Sequence, residues 1–220
     1  NNEIYLDQSG GSGTFTIKQD GSTNKFDAVN DRAGLTGNSK TFTSITTGTG
    51  NDILIQEEGN STTTELLITG NTNEVDSNVE GDSNDTTFDI TGNTNTLLVK
   101  ADVAADVANT TNNSDVDVTI EGNTNDVTFS MVDTDAAVNL WSLIGDLNVV
   151  NSYQQGQTGG VGHAQTVELF GSSNKVDIYQ IGTEAHTLDL QVLGSDNNYT
   201  ITQTDGTAAT YTNPSAVTGN

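Results

Sequence analysis

The sequence predicts an all-β chain, a two-sheet β-solenoid in which strand-turn-strand rungs of about 22 residues stack along one axis. Three observations carry this reading. Glycines recur every eleven residues, asparagines follow them three positions later, and apolar residues alternate with polar ones ahead of each glycine. Alternation is the period-two mark of a half-buried strand, and Gly with Asn at a fixed offset marks a tight turn.

The stretch TFTIKQDGSTNKF, residues 14–26, shows one unit. Phe15, Ile17 and Gln19 face one way, the chain turns at Gly21, and Asn24 and Phe26 begin the next strand. Glycines stand at 10, 21, 37, 48, 59, 70, 81 and 92, in steps of eleven apart from the sixteen between Gly21 and Gly37. The register returns at Gly122, Gly145 and Gly156, and again at Gly171, Gly182, Gly194 and Gly206, where the last two steps are twelve. Asparagine lies three residues on at Asn24, Asn51, Asn73, Asn84, Asn95, Asn125, Asn148, Asn174 and Asn197. The turn pairs Gly21 and Asn24, Gly70 and Asn73, Gly81 and Asn84, Gly92 and Asn95, Gly122 and Asn125, and Gly171 and Asn174 are therefore expected to be equivalent, with their asparagines stacked in columns. Gly is expected there for a backbone conformation that other residues reach only at a cost.

A lone hairpin of this length is marginal in water, whereas stacked rungs pair every strand with the one above and below, ~4.8 Å apart, and seal a narrow core. Phe15, Ile17, Val116, Val118, Ile120, Val167, Leu169, Val176, Ile178, Leu188 and Leu190 are the expected core. Gln8, Gln19 and Gln180 point inward as well, where stacked side-chain amides satisfy one another along the axis. Residues 1–220 read as one domain of eight or nine rungs, with insertions near 26–37 and 93–121 and a C-terminal cap at 207–220, where Pro214 cannot donate to a ladder. An antiparallel sandwich also repeats strands at such intervals, but it does not require Gly and Asn at one spacing.

Composition narrows the function. Only 32% of the residues are hydrophobic and 5% aromatic, enough for a thin core and not a thick one. The absence of cysteine excludes disulfides, thiolate metal sites and a cysteine nucleophile. Thirty acidic residues against six basic give a formal charge of −24, which repels phosphate backbones and anionic lipid, so no nucleic acid and no membrane partner is expected. No apolar run reaches the ~18–20 residues of a membrane-spanning helix. The chain opens NNEIYLDQ without an initiator Met or a charged-then-apolar leader, an opening compatible with removal of a signal or upstream segment and not deciding it.

Catalytic and metal chemistry finds little to work with, and neither a catalytic residue nor a cofactor is expected. TGTGNDILI, residues 47–55, resembles one calcium-binding nonapeptide with Asp52 in place, but the period here is eleven and not nine. Asp115 with Asp117, and Asp133 with Asp135, share a strand face and could share a cation; with so many acids, solvated faces explain them as well. His163 and His186 stand in or beside glycine turns, with nothing in their spacing to make a triad. GQTGGVGH, residues 156–163, lacks the lysine and helix of a phosphate loop. Tyr5, Tyr153, Tyr179, Tyr199 and Tyr211 are too dispersed to form a sugar platform. VNLWSLIGDLNVV, residues 138–150, is the most apolar stretch; Trp141 and Leu143 are expected inside and Leu140 and Ile144 outside. Leu140, Trp141 and Ile144 mark a segment covered either by an inserted loop or by another subunit.

At Gln19-x-Gly21-x-x-Asn24, followed by Phe26 and Ala28, the chain resembles the curlin repeat; Gln8-x-Gly10 and Gln180-x-Gly182 carry the first half of the same motif. Elsewhere Asn is kept and Gln is replaced, as by Ile68 before Gly70 and Leu169 before Gly171. The resemblance implies a secreted fibre subunit, or a structural protein like the curlin-like proteins of marine bacteriophage particles. The expectation is a non-enzymatic building block of an external fibre or virion surface, extracellular or on the particle, whose partners are its own copies or neighbouring virion or fibre proteins. Two alternatives stand beside it: a curli-like amyloid subunit of a biofilm, and a carbohydrate-binding β-helix adhesin or lyase-like enzyme that meets a cell-surface receptor or polysaccharide.

Overall fold

The computed structural model describes residues 2–6, 11–28, 35–81, 83–101, 115–134, 138–156, 164–181, 187–204 and 210–212. The chain opens with β1 (Asn2–Tyr5) and β2 (Gly13–Asp20), then β3 (Thr23–Ala28), the two-residue β4 (Leu35–Thr36) and β5 (Lys40–Thr47). Next come β6 (Gly50–Glu58), β7 (Thr63–Thr69), β8 (Thr72–Glu80), β9 (Asp85–Thr91), β10 (Thr94–Ala101) and β11 (Asp115–Glu121). The last rungs are β12 (Thr124–Thr134), β13 (Val138–Ile144), β14 (Leu147–Gly156), β15 (Ala164–Phe170), β16 (Ser173–Ile181), β17 (Thr187–Leu193), β18 (Asn198–Thr204) and β19 (Thr210–Thr212).

Apart from β3 and β4, consecutive strands lie in opposite sheets. One sheet runs β1-β3-β6-β8-β10-β12-β14-β16-β18, with β4 also paired to β6, and the other runs β2-β5-β7-β9-β11-β13-β15-β17-β19. Pairing is parallel throughout, as between β6 and β8 or β11 and β13, so each strand bonds to the strands one coil before and after it. The molecule is a two-sheet β-solenoid. Eight intervals at the usual strand spacing make it about 40 Å long.

Alternation decides which side chains enter the core. In β7 the pattern places Thr64, Leu66 and Ile68 inside and Thr63, Glu65 and Thr69 outside; β11 buries Val116, Val118 and Ile120 between exposed acids and Thr119. Val167, Leu169, Val176, Ile178, Leu188 and Leu190 are buried too. Phe15 and Ile17 are only half-buried, because β2 is the first strand of its sheet and nothing among the described residues stacks on its open side. The interior changes character along the axis. Lys40, Ser44, Thr46, Glu57, Thr64, Ser77 and Thr86 enter it in the N-terminal half, while the later rungs are filled mainly by Val, Leu, Ile, Phe129 and Trp141.

Trp141 is fully buried and packs edge-on against Phe129 at 4.8 Å between ring centroids, so it is a core residue and not a subunit contact. Its indole N–H has no hydrogen-bond partner among the described residues. Trp141→Phe therefore removes an unsatisfied donor while losing some volume, and thermal unfolding should show a change of within about 1.5 kcal/mol in either direction.

The eleven-residue period is half a coil, and the two half-coils differ. Gly21, Gly48, Gly70, Gly92, Gly122, Gly145, Gly171 and Gly194 all turn the chain at one edge of the rod, whereas Gly37, Gly59 and Gly81 turn it at the opposite edge. Asn84 consequently does not share a column with Asn24, Asn73, Asn95, Asn125 and Asn174. Its side chain accepts from the Thr62 backbone N–H at 3.0 Å on the opposite edge.

Two further expectations shift. Thr94–Ala101 and Asp115–Glu121 are regular strands, so the interruption expected over 93–121 narrows to residues 102–114, which lie outside the described ones; likewise Asn24 and Phe26 are in register and the earlier insertion begins after Ala28. Within the expected cap, Thr210–Thr212 extends the sheet by pairing with β17, and Pro214 lies outside the described residues.

Candidate functional site

The edge bearing the eight Gly-x-x-Asn turns is the most ordered polar assembly in the rod. Its asparagine side chains, buried except at the ends, form one chain of hydrogen bonds. Asn2 donates through Nδ2 to Oδ1 of Asn24 at 3.2 Å, Asn24 to Asn51 at 3.2 Å, Asn51 to Asn73 at 2.8 Å and Asn73 to Asn95 at 2.8 Å. The series continues from Asn95 to Asn125 at 2.9 Å, Asn125 to Asn148 at 2.8 Å, Asn148 to Asn174 at 2.8 Å and Asn174 to Asn197 at 2.9 Å. Every step donates in the same direction. The second amide hydrogen goes to a backbone carbonyl, that of Thr47 for Asn24, Thr69 for Asn51 and Ile144 for Asn125.

The glycines serve this stacking. At Gly48, Gly70, Gly92, Gly122, Gly145 and Gly171 the backbone is not left-handed; what excludes a side chain is the neighbouring rung. A Cβ at Gly70 would stand 2.6 Å from the Gly48 carbonyl oxygen, and one at Gly92 or Gly122 would overlap the Gly70 or Gly92 carbonyl. Close approach is thus the reason for Gly at this edge, in place of the expected special conformation. That conformation does occur at the opposite edge, where Gly37 and Gly81 have φ of 111° and 114° and Ser39, Ser61 and Ser83 lie at 56–58°. Each left-handed serine costs roughly 1–2 kcal/mol.

No protein-family model, curated protein or solved structure matches this chain.

The glutamines behave less uniformly than the asparagines. Gln180 donates to Gln154 at 2.9 Å in the core. Gln19 is buried and donates to the Lys25 carbonyl at 3.0 Å, but its register partner is Thr46 and its Oε1 has no partner among the described residues. Gln8 lies outside the described residues. Gln154 was legible from Gln154-x-Gly156, the same half-motif as Gln180-x-Gly182. The Gln165 pairing with Ser152 across the core, at 3.0 Å, has no such signal.

The remaining candidates separate. Asp52 faces solvent on β6 between Lys25 and Glu74 in register, and Gly48 and Asn51 around it belong to the ordinary turn. The Asp133 side chain, Asp135, His163 and His186 lie outside the described residues, among which no group of three or more His, Asp or Glu could hold a metal. Asp115 pairs in register with Asp85. Partial burial and the charges of Asp85 and Asp115 raise the Asp117 pKa, opposed by a hydrogen bond from the Leu140 backbone. The structure brings Tyr153 and Tyr179 together as register partners on the outer face of one sheet, a juxtaposition that their separation in sequence concealed.

Leu140 and Ile144 project outward, 48% and 43% exposed, and Leu147 joins them at 50%. Ile144 is in register with Phe170, and Phe170 with Leu193, so an apolar column replaces the Thr47, Thr69 and Thr91 column of the earlier rungs. No described residue folds over it.

Proposed function

We propose that this chain is a non-enzymatic structural protein, a β-solenoid building block of an external fibre or virion surface. The observation that supports it is the unbroken Asn2-to-Asn197 spine: the asparagine side chains of one edge satisfy one another along the axis, which stiffens the rod. Its partners are other copies or neighbouring subunits, met through the Leu140, Ile144 and Leu147 face, and its setting is saline and external. In dilute salt a charge of −24 holds copies apart; at about 1 M salt the screening length falls to roughly 3 Å and the apolar face can engage.

Electron microscopy and sedimentation of the concentrated protein test this. Ordered filaments or sheets are expected in high salt, and the double variant Ile144→Glu, Leu147→Glu is expected to give dispersed rods with unchanged circular dichroism. Monomers at every concentration, together with retention on a polysaccharide column, would replace this reading with an adhesin, for which the adjacent Tyr153 and Tyr179 would be the contact.

A further inference from the structure

Glu57, the last residue but one of β6, turns its side chain into the core, fully buried, and neither carboxyl oxygen has a hydrogen-bond partner among the described residues. Its register partners are Leu35 on β4 and Val79 on β8. Across the Gly59 turn, Thr62 and Thr64, just ahead of and within β7, face inward, and Thr86 of β9 is in register with Thr64. The hydroxyls of Thr64, Ser77 and Thr86 are unpartnered as well.

Among the described residues no counter-charge answers the carboxyl. Along its own strand stands Glu58, on the outer side, in register with Glu80 of β8; Leu35 and Thr36 of β4 are in register with Glu57 and Glu58, and Thr62 and Asn84, just ahead of β7 and β9, and Thr64 and Thr86 within them, lie across the turns. The buried Lys40 starts β5 at this same edge, but no ion pair joins it to Glu57 among the described residues. Burial pushes the Glu57 carboxyl up to about 8 and lowers the Lys40 pKa.

Outside this polar interior lie the three left-handed turns. They are held rung to rung by Gly37 N–H on the Glu58 carbonyl at 2.8 Å, Ser39 N–H on Asn60 at 2.8 Å, Asn60 N–H on Asn38 Oδ1 at 3.0 Å and Thr62 N–H on Asn84 Oδ1 at 3.0 Å. A backbone in sparsely populated conformations, above a lining of unsatisfied polar groups, is where a solenoid opens first.

We propose that this edge is a proton-gated latch: with Glu57 protonated the Gly37, Gly59 and Gly81 turns stay stacked, and when the carboxyl gives its proton to solvent the carboxylate swings out and carries Glu57–Thr62 away from β4 and β8. The sign follows from linkage. The open form ionises at an ordinary carboxylate value, about 4.3, and the closed form near 8, so closure is strongest in mild acid. Opening gains about tenfold per pH unit between roughly 5 and 8 and levels off above that.

Hydrogen exchange followed by NMR on the whole chain tests the latch, using the ratio of wild-type to Glu57→Gln exchange at each pH so that intrinsic base catalysis cancels. For the amides of Ser39, Asn60 and Thr62 the ratio is expected to grow on the order of fifty-fold from pH 6 to pH 8 and then flatten, with no change at Gly92 and Asn93 on the opposite edge. A ratio independent of pH overturns the proposal, and so does equal growth at both edges, which means global unfolding. Glu57→Leu, which removes the titrating group and fills the same space, provides the comparison if the glutamine variant does not fold.

Discussion

Alanine at Gly122 is expected to destabilise the rod by about 3–5 kcal/mol in urea unfolding, at the upper end of what single substitutions do. The added Cβ would overlap the Gly92 carbonyl and come within 2.5 Å of Asn95 Nδ2 and 3.0 Å of Asn125 Oδ1. Flexible side chains could move aside; here the obstacle is the backbone of the next rung and a side chain fixed by its own hydrogen bonds. Gly50→Ala is the control, because its Cβ would meet nothing nearer than the Thr72 carbonyl at 3.9 Å. That substitution should be neutral or stabilising by up to about 1 kcal/mol, through the reduced freedom of the unfolded chain. Equal losses at the two sites would sink the stacking explanation.

Asn95→Ala should cost about 2–4 kcal/mol, whereas Asn93→Ala, two residues earlier in the same turn, should stay within about 0.5 kcal/mol. Asn95 is buried and accepts from Asn73 at 2.8 Å while donating to Asn125 at 2.9 Å; its loss strands a donor on one side and an acceptor on the other. The exposed Asn93 holds its neighbours through backbone groups, which alanine keeps. Chemical denaturation of the pair compares the same substitution in two settings. If both cost the same, asparagine acts at these turns through local conformation and not through the ladder.

Much of this arrangement was legible, for physical reasons that differ by residue. Val116, Val118 and Ile120 announce themselves because strand alternation between acids leaves no ambiguity about the inner face. The Gly-x-x-Asn spacing locates the turns because both residues answer to the same neighbour, the rung below. What escaped was the difference between the edges. Glycine is written identically whether close approach alone requires it, as at Gly92, or a left-handed backbone requires it as well, as at Gly81. Asn84 was therefore grouped with Asn73 and Asn95. Glu57 was missed for the opposite reason: its strand parity points inward, but an acidic residue in a chain with thirty of them is read as solvated. In the Trp141 region, outward Leu140 and Ile144 mask the alternation that separates surface from core.

The two edges also divide the tolerance of the rod for changes in chain length. Along the glycine–asparagine edge the spacing from Gly to Asn is the same at Gly21, Gly48, Gly70, Gly92, Gly122, Gly145, Gly171 and Gly194, while the connections at the other edge vary from residues 135–137 to residues 102–114. Register on both sides of the longer connection is kept, with Asn95 still opposite Asn125 and Asp85 opposite Asp115. Extra sequence entering there changes neither pitch nor ladder, whereas one residue added between Gly122 and Asn125 would put every later rung out of step. One side of the molecule is thus a fixed ruler and the other a row of variable attachment points, so diversification can be lateral and directional, presenting new peptide along a single flank of a rod whose axis is left undisturbed.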